Sequence, residues 1–145
     1  VRPALAATTL AVAATLSAAL ATPSAFAAAP AARACPDGMK SATTAELFFG
    51  RNSGWTGQIS EGEWRSFLDP EVTPRFPDGL SVGDVYGQWR SPAGAFVRQN
   101  SKALFIVLAG RPDEQQRLDL VRDAYKKRFH QQSVLLVEQK ACVSF

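Results

Sequence analysis

"TPRFPDGLSVGDVYGQW", Thr73 to Trp89, is the stretch on which the fold turns. Pro74 and Pro77 favour an extended connection, because each ring fixes φ and withholds a backbone donor. Asp78-Gly79 then supplies a turn, and a strand is predicted to begin near Leu80. Gly83 and Gly87 fall inside that strand, where a missing side chain predicts a close aromatic neighbour or a bulge. Alternation sets Tyr86, Gln88 and Arg90 on one face and Val85, Gly87 and Trp89 on the other. The punctuation therefore marks a crossing of the domain rather than a reactive motif. Trp89 is expected in the core. Arg75 is expected to pin the crossing through carbonyl or carboxylate contacts.

The elements on either side follow from local pattern. "TTAELFFG" (Thr43 to Gly50) is short, aromatic and closed by glycine, which predicts a strand. "RNSGWTGQ" reads as a loop. "ISEGEWRSFL" then opens a helix: Ser60 and Glu63 form a capping box, and Ile59 and Trp64 stand at the positions of a hydrophobic staple. Asp69-Pro70 weakens that helix. After the strand, "SPAG" (Ser91 to Gly94) predicts a hairpin turn, and "AFVRQNSKALFIVLAG" returns with room for an irregularity near Asn100. Pro112, Asp113 and Glu114 suit the start of a second helix. Its buried stripe is Leu118, Val121, Tyr125 and Phe129, and "QSVLLVEQ" (Gln132 to Gln139) is the last strand. The order β-α-β-β-α-β predicts an α+β, ferredoxin-like fold, an antiparallel sheet with two helices on one face.

The first 27 of the 145 residues read differently. Arg2, an Ala/Leu/Val/Thr run, Pro23 and the Ala25-Phe26-Ala27 ending have the order of a secretory signal, with cleavage expected after Ala27. Small residues and Pro23 make the run a poor membrane span, so no stable membrane anchor is expected. Residues 28–42, beginning "AAPAARA" and carrying Cys35, read as a disordered spacer, and 43–145 as a single domain. Expected location is exported, periplasmic or extracellular. The net charge of +3 is too mild, and too scattered, for a nucleic-acid binder.

Two cysteines, Cys35 and Cys142, bracket the domain. In an oxidising compartment an even pair reads as a disulfide, with two free thiols or a metal site as alternatives. One histidine and no C-x-x-C pair count against metal. The fold adds support, because the last strand would lie antiparallel beside the first and bring its end to the other's start. Closing so long a loop would stabilise by about 4–5 kcal/mol in the chain-entropy model.

The segments "ELFFGRN", "EWRSFLDPEVTPRFPDGLSVGDVYGQW", "SKALFIV" and "CVSF" resemble the bacterial family known as domain of unknown function 3574, from about Thr43 to Phe145. The resemblance implies a small, usually exported domain, and it brings no established catalytic residue to carry over. It also implies an acidic residue after the hairpin arginine, where this chain has Gln99 after Arg98.

No catalytic constellation is readable. His130 lacks a partnering acid or nucleophile in the pattern, G-x-S-x-G is missing, and phosphate-loop and dinucleotide motifs are absent. Neither a metal nor a cofactor is expected. Glu61 and Glu63 could be read as paired carboxylates, but the capping box already employs Glu63. Two classes of function follow: a non-catalytic ligand-binding or interaction module, or a cofactor-free enzyme on a dimeric ferredoxin-like scaffold. Topology sends Arg51 and Arg90 to one end of the sheet and brings Arg98 near them. The three form a candidate site for a small anionic ligand, unless Glu61 and Glu63 neutralise them. Strands apolar on both faces predict a homodimer through the sheet face that the helices leave open.

Overall fold

The computed structural model describes residues 34–53 and 57–145. The expected leader, the first six residues of the spacer and Gly54 to Thr56 lie outside them. The elements are β1 (Lys40–Gly50), β2 (Asn52–Ser53), β3 (Gly57–Gln58), α1 (Glu61–Phe67), β4 (Ser81–Arg90), β5 (Phe96–Leu108), α2 (Glu114–Phe129) and β6 (Leu135–Val143). Four strands form one antiparallel sheet in the order β4-β5-β1-β6, with both helices on one face: the ferredoxin-like arrangement. β2 and β3 pair only with each other, so the expected loop is a small ribbon. No described helix is long and apolar enough to cross a membrane.

The helix-facing side of the sheet holds Ala45, Leu47 and Phe49 from β1 and Leu104, Ile106 and Leu108 from β5, all buried. Trp64 and Phe67 of α1 and Leu118, Val121, Tyr125 and Phe129 of α2 close over them. The aromatic rings interlock, Tyr125 lying 4.8 Å from Phe49, 5.0 Å from Phe67 and 4.7 Å from Phe129 between centroids. Such tilted and edge-on pairs add to the stabilisation from burial. The Tyr125 hydroxyl donates to the Gly50 carbonyl at 2.8 Å, and burial pushes the phenol pKa up.

The capping box forms as expected. Ser60 Oγ accepts from the Glu63 amide at 3.2 Å, and the Ser60 amide donates to the Glu63 carboxylate at 2.8 Å, which holds that carboxyl below its usual range. Ile59 and Trp64 of the staple are both buried. Pro70 does not stop the chain, because α1 runs on into one wide π-helical turn, Leu68–Val72, closed by the Thr73 amide on the Leu68 carbonyl at 3.0 Å. Proline cannot donate to the carbonyl four residues back. That carbonyl, on Ser66, accepts instead from Arg128 Nη1 at 2.8 Å.

Three expectations need correction. β1 begins at Lys40 rather than Thr43, because Ser41 and Ala42 are paired with Cys142 and Ala141. The end of the supposed spacer is therefore strand. The β4–β5 ladder is unbroken from Ser81↔Phe105 to Arg90↔Phe96, with no irregularity at Asn100 and no bulge at Gly83 or Gly87. α2 starts at Glu114 with Asp113 at its cap, just after Pro112. Glu114, buried, turns its carboxylate back to accept from the amides of Ala109, Gly110 and Arg111 at 2.6, 3.0 and 3.1 Å, fastening the β5–α2 connection. The third correction is Trp89, which is 41% exposed rather than core. Register explains it: paired with Val97, Trp89 lies on the sheet face away from the helices, at a point where β4 and β5 overrun β1, whose last residue Gly50 pairs with Ser101.

The Cys35–Cys142 disulfide is present, with Cα atoms 5.5 Å apart and a sequence separation of 107. Arg75 pins the crossing as expected: its guanidinium meets the Glu71 carboxylate and carbonyl, and its own carbonyl accepts from Arg117 at 2.8 Å.

Candidate functional site

The face of the sheet away from the helices is where side chains alternate outward: Phe48 on β1, Val85, Gly87 and Trp89 on β4, Val97, Gln99 and Ser101 on β5, and Leu135 on β6. A cleft of about 500 Å³ opens there. Its floor is apolar, from Phe48, Val85, Trp89, Val97 and Leu135, and its wall is the α2–β6 connection, His130 to Ser133. Glycine makes the room. Gly87 meets nothing closer than Ser101 Oγ, 3.9 Å from where its Cβ would stand. At Gly50 a Cβ would fall 2.5 Å from Gln99 Nε2, so the Gln99 amide lies against the Gly50 backbone. A side chain at position 50 would displace it.

The wall is set by the end of α2. His130 sits in the left-handed region (φ 53°), its amide and that of Gln131 both donating to the Lys126 carbonyl, which reverses the chain toward β6. A non-glycine residue there costs roughly 1 kcal/mol. The Gln131 side chain donates through Nε2 to the Asn52 carbonyl at 2.9 Å, fixing the wall to the end of the sheet. Sequence reasoning identified His130, Trp89 and Gln99 separately, but nothing in their spacing announces that they share a cleft.

The three candidate arginines are distributed along the helix side of the same sheet end, not gathered around one point. Arg51 donates through Nε to the Ile59 carbonyl at 2.8 Å, and its Nη1 lies 3.5 Å from Glu61 and 3.7 Å from Asp84. Arg90 stacks over the Phe96 ring at 4.5 Å. Arg98 is exposed, and its carbonyl accepts from Asn52 Nδ2 at 3.5 Å. Of the two glutamates weighed as neutralisers, Glu61 meets Arg51 while Glu63 stays with the cap.

The pattern missed Lys102, which is only 4% exposed inside an otherwise apolar run. Its ammonium is 2.7 Å from Asp84 and 2.9 Å from Glu61. Burial works against its charge, yet the two carboxylates raise its pKa, and in return Lys102 holds Asp84 below the usual carboxylate range. Two cations and two anions thus balance at the start of α1. Among the described residues no cluster of His, Cys, Asp and Glu has the makings of a metal site.

An antiparallel sheet with both helices on one face and a cleft on the other defines the class: a ferredoxin-like α+β domain. The chain belongs to the family described as Protein of unknown function (DUF3574), whose model matches residues 44–145. No curated protein matches it in sequence. Among solved structures it is similar to a phage SAM lyase in complex with S-methyl-5'-thioadenosine, with a TM-score of 0.55 and 17% identity over 78% of this chain and 95% of that one. The same lyase in its apo state gives a TM-score of 0.52 at 16% identity, over 72% of this chain and 90% of the lyase. CutA from Synechococcus elongatus PCC7942, complexed with Bis-Tris, gives 0.47 at 10% identity, over 73% and 87%. At these identities the likeness is one of fold.

Proposed function

We propose that this is an exported, non-catalytic binding module that takes a small, flat, uncharged molecule in the open-face cleft. One observation carries the reading: the described residues lining the cleft include no carboxylate, ammonium or guanidinium. Among them His130 is the one imidazole. A mostly apolar floor with a few convergent polar groups is the usual make-up of a small-molecule site. Trp89 and Phe48 offer ring faces, while Gln99, Ser101 and Asn52 offer neutral hydrogen-bonding edges. Acid–base catalysis wants a titrating group beside a second reactive one. The carboxyls with lowered pKa (Glu63, Asp78, Asp84 and Asp123) all belong to caps or ion pairs away from the cleft. Export agrees with the disulfide, a bond that persists in oxidising compartments.

The test is a thermal-shift and tryptophan-fluorescence screen on the disulfide-bonded protein, using nucleobases, nucleosides and aromatic amides beside phosphate, sulfate and small carboxylates. Uncharged planar compounds should raise Tm and perturb Trp89 emission, and Gln99→Leu should abolish both effects without lowering the ligand-free Tm. Stabilisation by anions alone, surviving in Gln99→Leu but lost with Arg51→Ala and Arg98→Ala, would transfer the site to the arginines. Turnover of any hit would favour the enzyme reading.

A further inference from the structure

The β4–β5 hairpin continues for five residue pairs, Tyr86↔Asn100 to Arg90↔Phe96, beyond the Ser101 that pairs with the end of β1. That is an arm of about 17 Å at strand rise. On its helix-side face Tyr86 is 68% and Phe96 63% exposed, interleaved with Arg90 and Arg98. From Val85 to Ser101 there is no acidic residue. A two-stranded ribbon is marginal by itself in water, and uncovered aromatics beside arginine have the composition of an interface centre.

The open face supplies the complement. Past the cleft it presents Phe105 and Val137, both 41% exposed, and between them in register stands Glu46. Glu46 is half-buried, has no ion pair among the described residues, and shares this face of the four strands with one other charged side chain, the exposed Lys40 at the far end of β1. Arg98 likewise has no ion pair among the described residues. The two cannot meet within one molecule, because the arm is a continuation of the same sheet. Stacking two open faces about a twofold axis near Glu46 would instead bring the two Glu46 carboxylates together and turn the cationic side of each arm away.

We infer that the arm is an assembly element: its aromatic, cationic side seats on the open face of a second copy of this chain, with Arg98 of one copy opposite Glu46 of the next. Such a contact joins different surfaces of the two copies, and it closes into a ring when the rotation between neighbours divides a full turn. It would also lay a neighbour's residues beside the cleft, although the inference does not depend on what the cleft holds.

Analytical ultracentrifugation of the disulfide-bonded protein over a concentration series tests it by mass alone. A small closed oligomer is expected. Arg98→Glu and Glu46→Arg should each weaken association by about tenfold or more, and the two together should recover most of it, as charge pairs at interfaces do. Glu46→Gln guards against misfolding of the arginine variant and should weaken association with an unchanged near-ultraviolet spectrum. A monomer at every concentration overturns the inference. So does an oligomer indifferent to Arg98→Glu, or a double variant no better than the singles.

Discussion

The same four strands have two faces that solve opposite problems. On the helix side Ala45, Leu47 and Phe49 of β1 and Leu104, Ile106 and Leu108 of β5 are buried, and the rings of Phe49, Phe67, Tyr125 and Phe129 lock around one another. On the other side Phe105, Leu135, Val137 and Trp89 remain exposed. Equal hydrophobicity has unequal consequence, because stabilisation follows the area removed from water rather than residue type. The covered face holds the fold together, and the uncovered face is where the proposed cleft and contact lie. The two ends of the sheet differ in the same way, one fastened by the disulfide and the other running out as the arm.

The largest expected effect probes the ends. Reducing Cys35–Cys142 should cost about 4–5 kcal/mol in denaturant unfolding, while shortening the arm's turn should cost little. A loss under 1 kcal/mol would mean that the β1–β6 ladder alone holds that end. The faces come next. Phe49→Ala should cost about 3–5 kcal/mol, whereas Phe105→Ala on the open side should cost about 1 or less in the monomer. Equal costs would show that the open face is covered in solution.

Acid should act on the rim between the faces. Asp84, with its folded pKa held below 3.8 by Lys102, contributes stability that is complete near neutrality. That contribution is lost as pH falls below the unfolded value and through the lower folded one. Lys102→Met should flatten this part of the stability–pH curve below about pH 4, and an unchanged curve would discard the pairing. The smallest effects belong to glycine. Gly87→Ala fits its space and should change stability by about 1 kcal/mol or less, with a gain expected in this extended backbone. Gly50→Ala should also be mild in stability, since only the flexible end of Gln99 must move, yet it should impair ligand binding in the cleft. The reverse result, strong destabilisation with binding intact, would make Gly50 a packing residue.

How much was legible follows the range of the interaction. Ser60 and Glu63 were readable because a capping box closes within four residues. The stripe Leu118, Val121, Tyr125 and Phe129 was readable because helical period alone puts those residues on one face. Lys102 and Glu114 escaped because what stabilises them comes from elsewhere, from Asp84 and Glu61 in one case and from the backbone of the preceding turn in the other. Trp89 was placed in the core because the pattern cannot say which face the helices will cover, nor how far two strands overrun a third.

The sequence by itself therefore determined the elements, their order and the topology, and through them the meeting of Cys35 with Cys142. Alternation and helical period are local, and few chain paths satisfy them together. Only the tertiary structure decided that Gly50, Trp89, Gln99 and His130 border one cleft, that Arg51 is engaged by Glu61 and Asp84, and that Tyr86 and Phe96 stand uncovered. These depend on register, which a shift of one residue would reverse, and on where each strand stops relative to its neighbour. Both are settled by packing across the sheet, and no short stretch of chain contains that information.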